Sequence, residues 1–168
     1  MNQILANPLA GQNKSDNIIR NSVGGVGVIR PAADGTLAAP TKTLVAADSG
    51  SIFFVDISTY TVYVMLPSVG VSDGFRVKLI LHVDSNDEGT KDLHIVTASD
   101  AEDMQGSFFE DQDALTEVTG NTSQLTFDTS DGAATSGDFV EFIAFDGNWY
   151  VYGVVNTTIA IDIADGRS

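Results

Sequence analysis

His82 and His94 are the only histidines in the chain, and they sit among 23 Asp and Glu residues. Imidazole and carboxylate together can ligate a metal or move a proton, so these residues come first. A metal site needs ligands that one element presents together, as in H-x-H or H-E-x-x-H, and neither spacing occurs. His82 falls on the polar side of an alternating stretch and His94 begins another, so both read as ordinary sheet histidines. The segment Asp84–Gly89 starts like a calcium loop, with oxygen ligands at Asp84, Asn86 and Glu88. The position that should carry a bidentate glutamate is Ile95, and no helices flank the loop. It reads as a polar hairpin loop. The acidic run of Asp100, Glu102, Asp103, Glu110, Asp111 and Asp113 reads as a solvated loop. For nucleophilic chemistry there is no cysteine and no G-x-S-x-G. Ser49 and Ser51 beside Asp48 make a turn. The stretch Ser22–Arg30 lacks the Lys-Ser/Thr of a phosphate loop and does not complete G-x-G-x-x-G. Trp149, Tyr150 and Tyr152 carry faces on which sugar rings stack. No catalytic, metal-binding or cofactor-binding residue is expected, and the chain is read as a non-enzyme.

Those aromatics belong to the most legible element, Gly137–Val155. Two apolar runs flank Asp146-Gly147, a dipeptide that tolerates the positive φ angles of a type I′ turn, which predicts a β-hairpin. Counting out from the turn pairs Ala144 with Trp149, Phe142 with Val151 and Val140 with Gly153. Side chains alternate across a strand, so these six share one face, read as core. The other face carries Phe139, Glu141, Ile143, Phe145, Tyr150, Tyr152 and Val154. A half-solvated strand shows one polar face, and this hairpin shows none, so it is expected to be covered on both sides. Ile143, Phe145, Tyr150 and Tyr152 are the candidate subunit interface; an intramolecular cover, either Thr158–Ile163 or the N-terminal segment, is the alternative.

The remaining chain reads as strands at Thr43–Ala47, Ser51–Ile57, Tyr60–Leu66, Phe75–Asp84, Leu93–Ala98, Ala114–Val118, Ser123–Asp128 and Thr158–Ile163. In Phe75–Asp84, Val77, Leu79 and Leu81 share one face, and Arg76, Lys78, Ile80 and His82 the other. Ser99–Asp113 reads as irregular. About nine short strands without a helix predict an all-β fold, a β-sandwich or jelly-roll-like single domain. No repeat of solenoid length is visible.

Residues 1–42 differ from the body at 43–168. They hold three of the four prolines and no persistent period. They read as an extended N-terminal arm that orders on a partner, with Ile4, Leu5, Leu9, Ile18, Ile19, Arg20 and Arg30 as anchors. Formal charge divides the same way: the arm is mildly cationic, while the whole chain carries −15. An acidic body repels phosphate, so no nucleic-acid partner is expected, nor an anionic membrane. No apolar run approaches the ~18 residues of a membrane span, and the start lacks the pattern of a signal peptide.

The turn at Leu44–Gly50, the Leu66-Pro67 strand end, Gly74 before the next strand, Gly137-Asp138 and the Asp146–Trp149 turn together resemble a β-module that recurs in virion proteins of tailed bacteriophages. The resemblance spans Thr43 to Gly153. The module occurs in capsid decoration (cement) proteins, head fibres and tail fibres. A short chain with an arm ahead of one β body is most similar to a decoration protein. That resemblance implies a homo-oligomer, a trimer, on the outer capsid surface of the virion, with the major capsid protein as partner and the arm running across capsid subunits. A head- or tail-fibre module that binds host surface glycans is the alternative.

Overall fold

The computed structural model describes residues 25–71, 73–83, 91–110, 114–129, 134–156 and 161–164. Twelve strands form among them, with two short 3₁₀ turns at Ala46–Asp48 and Val69–Val71. None of the described helices is long and apolar enough to cross a membrane. The strands are β1 (Val26–Ile29), β2 (Lys42–Thr43), β3 (Ser51–Asp56), β4 (Val62–Met65), β5 (Arg76–His82) and β6 (Leu93–Val96). They continue as β7 (Met104–Glu110), β8 (Ala114–Thr122), β9 (Gln124–Phe127), β10 (Phe139–Phe145), β11 (Asn148–Val155) and β12 (Ile161–Ala164). They make a sandwich of a large sheet, β1-β3-β5-β10-β11-β7-β8, and a small one, β12-β9-β6-β4-β2. The expected all-β sandwich is therefore what forms.

Both sheets are mixed. From β1 to β6 the chain crosses between the sheets at every step, so β1, β3 and β5 stack in parallel in one layer and β2, β4 and β6 in the other. The register steps evenly on the large sheet, with Val26 beside Ile52 and Ile52 beside Lys78. Each return to the sheet is thus a coil without a sequence repeat behind it; alternation and turns suffice to build it. The β10–β11 hairpin then sits between β5 and β7.

The hairpin has the register counted from its turn, Ala144 with Trp149, Phe142 with Val151 and Val140 with Gly153. Asp146 and Gly147 take φ values of 49° and 75°, as a type I′ turn requires. Its inward face meets the small sheet. Trp149 is fully buried, with Phe75 and Phe142 edge-on at 5.8 and 6.3 Å. Phe108 from the large sheet meets Phe127 from the small one edge-on at 6.3 Å. Perpendicular rings set their positive edges against negative faces, which adds to plain area burial.

Three boundaries differ from the sequence reading. Residues 25–42 belong to the body: β1 pairs along β3, Ile29 is buried in the core, and β2 pairs with β4. An Asp34 carboxylate oxygen accepts the Thr61 N–H, and Gly35 N–H donates to the Thr61 carbonyl. Prolines and glycines broke the period there because the path turns between two sheets in short steps. Ser99–Asp113, expected to be irregular, contains β7, which lies between β11 and β8. Thr43–Ala47 is only the end of β2 followed by a 3₁₀ turn, in which an Asp48 carboxylate oxygen accepts the Val45 N–H.

Candidate functional site

The outer face of the large sheet is built from the side chains that alternate away from the core. Its central line can be followed through the registers. Val28 lies beside Phe54, Phe54 beside Ile80, and Ile80 beside Phe139. Phe139 lies beside Val154, Val154 beside Phe109, and Phe109 beside Leu115. This is one unbroken apolar row across all seven strands. Cross-strand neighbours on one face are close enough to pack, so the row is a continuous surface. Beside it Ile143 adjoins Tyr150, and Phe145 closes the hairpin end.

This face is open to solvent. Ten of the eleven exposed large hydrophobic residues among those described belong to it, from Val154 at 37% to Val26 at 72%; Val45 is the exception. Apolar patches larger than a few hundred Å² are rare on monomers and mark binding surfaces. Ile143, Phe145, Tyr150 and Tyr152, proposed from the sequence as an interface, are therefore together and exposed. Val26, Val28, Phe54, Ile80, Phe109 and Leu115 extend the same surface and were not singled out. Alternation within β3 and β5 held the signal, but the neighbours in the row come from distant stretches of chain. Neither intramolecular cover lies over the face among the described residues. β12, the end of the Thr158–Ile163 stretch, pairs with β9 in the small sheet.

Charge is nearly balanced across the strands of this face, with exposed Asp73 and Asp146 at its hairpin-turn end. Arg76 Nε donates to Glu141 Oε1 at 2.5 Å. The Lys78 ammonium sits 3.5 Å from the centroid of the Phe139 ring, a cation–π contact. At the rim Arg30 Nε donates to Asp56 Oδ2 at 2.9 Å, and Glu117 on β8 lies beside Ser107. Arg30, expected to anchor a partner-bound arm, is thus tied to its own body. The other anchors, Ile4, Leu5, Leu9, Ile18, Ile19 and Arg20, lie outside the described residues. Tyr152 packs between Phe109 and Phe139, each centroid 6.1 Å away. Between the ends of β3 and β5, a cleft of about 410 Å³ is lined by Ser49, Gly50, Ser51, Ile52, Gly74, Arg76 and Lys78.

The residues first weighed for chemistry are not brought together. His82 is exposed at the edge of the large sheet's outer face, while His94 lies in the small sheet. The His94 ring stacks on Tyr63 with centroids 4.3 Å apart, and its Nδ1 lies 3.0 Å from Thr126 Oγ1 and 3.4 Å from Gln124 Nε2. Burial holds the His94 pKa below its ordinary value, against the pull of the Asp92 charge. Neutral imidazole with Nδ1 as acceptor satisfies the Gln124 amide; the charged ring has no acceptor to offer. Asp84–Gly89 lies outside the described residues. In the acidic run, Glu102 Oε1 accepts from Ser68 Oγ at 2.7 Å and from the Val69 N–H at 3.2 Å. Glu110 points into the core and is 3% exposed. Asp138, also buried, accepts N–H bonds from Thr135 and Asn156, while burial pushes its carboxyl pKa up. No described set of three His, Asp or Glu residues is arranged to hold a metal ion. Trp149 is in the core, as the hairpin register required, and offers no face to a sugar. The surface that remains is one suited to packing against another surface. The chain matches no protein-family model, no curated protein and no solved structure.

Proposed function

We propose that this chain is a structural virion protein that binds the outside of a phage capsid and stabilises it, as a decoration or cement protein without catalytic activity. The single observation that carries the reading is the broad apolar face, nearly balanced in charge, on an otherwise acidic chain. Such a face builds an assembly by excluding water between protein surfaces, at ~25 cal/mol per Å² buried. The resemblance of Leu44–Gly50, Leu66-Pro67 and the Asp146–Trp149 turn to phage virion modules supplies the setting. In that setting the protein is a homo-oligomer, a trimer by the resemblance, and the major capsid protein is its partner. Residues 1–24 would reach across capsid subunits, with Ile4, Leu5, Leu9, Ile18 and Ile19 as apolar anchors and Arg20 as a charged one. Cross-linking subunits by buried area opposes outward pressure from packaged DNA without any bond being made or broken. The acidic remainder of the surface faces solvent, keeps virions apart by charge repulsion, and does not invite nucleic acid or anionic membrane.

The test is pelleting of the full chain with expanded empty capsids of the phage that encodes it, followed by thermal melting of the shells. Co-pelleting and a raised shell melting temperature are expected; a chain left in the supernatant refutes the reading. One observation favours a second reading. Tyr150 and Tyr152 are exposed side by side with a cleft between the ends of β3 and β5 on the same face, which suits a fibre module that stacks host surface glycans on aromatic rings. A glycan array probed with the full chain and with Tyr150→Ala separates the two.

A further inference from the structure

We propose that the outer face of the large sheet is where copies of this chain meet one another. This rests on the assembly reading and names the occupant of that face. Size is the first argument. The ten exposed apolar side chains together present roughly 900 Å², close to the ~800 Å² per partner of a standard stable interface.

Breadth is the second. Seven strands spaced ~4.8 Å apart make a face about 29 Å across, and Phe139 to Phe145 span about 20 Å along β10. One pass of an extended segment covers a strip only ~10 Å wide, so residues 1–24, at most ~80 Å long, would have to double back over the face to fill it. A second sheet covers Val28, Leu115 and Phe145 in one contact.

Charge is the third, and it points to a like surface. Copies of a chain carrying −15 repel through most of their surface. This face and its rim hold Arg30, Arg76 and Lys78 against Asp56, Glu117 and Glu141, with exposed Asp73 and Asp146 at the hairpin-turn end. Its strands are close to neutral, so such faces approach with little of that penalty. Its cations are already engaged by Asp56, Glu141 and the Phe139 ring, so a strongly acidic partner gains little from them. The row also alternates aliphatic and aromatic side chains from Val28 to Leu115. Where such rows from neighbouring copies meet, rings set into the gaps over shorter side chains, as the inner faces of a sandwich interdigitate.

Sedimentation equilibrium of the full chain is the test. The expected mass is a multiple of 17.7 kDa. Phe54→Asp combined with Tyr152→Glu should release single chains that keep the strand signal in circular dichroism. Phe54→Leu combined with Tyr152→Phe should keep the oligomer. Leu115→Lys repeats the test at an edge position already 54% exposed, where a charge does not enter the core. Single chains from the unaltered protein overturn the proposal, as does an unchanged mass in both the acidic double variant and Leu115→Lys. Single chains on deleting residues 1–24, with both charged variants still oligomeric, also overturn it, because the arm then holds the copies together. Capsid pelleting reads the other question. An unaltered chain that pellets while monomeric sinks only this proposal; an oligomer that fails to pellet sinks only the capsid reading.

Discussion

Gly153→Ala sets two physical effects against each other at the centre of the hairpin. Glycine in a strand costs ~0.5–1 kcal/mol relative to alanine through the entropy of the unfolded chain, and Gly153 does not have the positive φ that would require it. On propensity alone the substitution stabilises. The packing says the opposite. A Cβ at this position would lie 2.5 Å from Phe108 Cδ1 and 2.6 Å from the Phe139 carbonyl oxygen. That oxygen belongs to the β10–β11 ladder and cannot retreat without loosening it. Phe108 is fully buried and held edge-on by Phe127, so its ring cannot swing away without opening the core. Overpacking of this kind costs ~1–3 kcal/mol; with two rigid neighbours the upper half of that range applies, so the net loss after the entropic gain is about 1–2.5 kcal/mol. Urea unfolding gives the answer as a lower midpoint at unchanged slope. Phe108→Leu in the same chain makes room, so the double variant should be less destabilised than the two single changes predict, by on the order of 1 kcal/mol. A Gly153→Ala protein as stable as the unaltered one, or strictly additive effects in the cycle, would refute the reasoning.

Two further outcomes are expected. Ile29→Ala should cost ~2–4 kcal/mol, the range for emptying a buried aliphatic site, because Ile29 is 6% exposed and closes the β1 edge of the core; a thermal unfolding temperature equal to that of the parent would return residues 25–42 to the arm. His94 should make the protein acid-sensitive. Its folded pKa lies below the ordinary 6.5 because burial disfavours the charged ring, so the unfolded chain takes a proton at a pH where the folded one does not. Stability is then full above 6.5, falls as the pH drops below that value, and stops falling once the folded ring also protonates. Chemical denaturation of His94→Gln across the same pH range should show a shallower decline, and an identical decline would assign the sensitivity elsewhere.

Much of the local structure was legible because it depends on near neighbours. The Asp146-Gly147 turn sets the pairing of the strands on either side by counting, so the burial of Trp149 and the placing of Tyr152 on the opposite face followed without tertiary information; the expected cover over that second face did not, since Tyr152 is exposed. Strand β5 was equally plain, since Val77, Leu79 and Leu81 alternate with Arg76, Lys78 and His82. β7 was not. Its buried positions are Met104, Phe108 and Glu110, with an exposed Gly106 where alternation asks for a core residue, a mixture that mimics a loop, and its ladder to β8 is broken by a bulge between Met104 and Gly106. A Cβ on Gly106 would strike the Val151 carbonyl oxygen, so glycine marks where the two backbones close on each other. β1 was hidden for a similar reason: Gly27 faces the Phe53 ring, and only Ile29 carries an apolar side chain inward.

The sequence by itself determined an all-β chain, the register of its last hairpin, and which hairpin residues turn away from the core. Those properties come from alternation and turn chemistry, which act over a few residues. Tertiary structure alone decided that Val28, Phe54, Ile80, Phe139, Val154, Phe109 and Leu115 form one row. Their neighbours are brought together by parallel pairings with no local signal and by a hairpin inserted between β5 and β7. It also decided that Arg30 belongs to the body, because its partner Asp56 lies on the adjacent strand β3. A binding face that spans seven strands is a property of how the strands are ordered, and strand order is set by the packing of the whole chain.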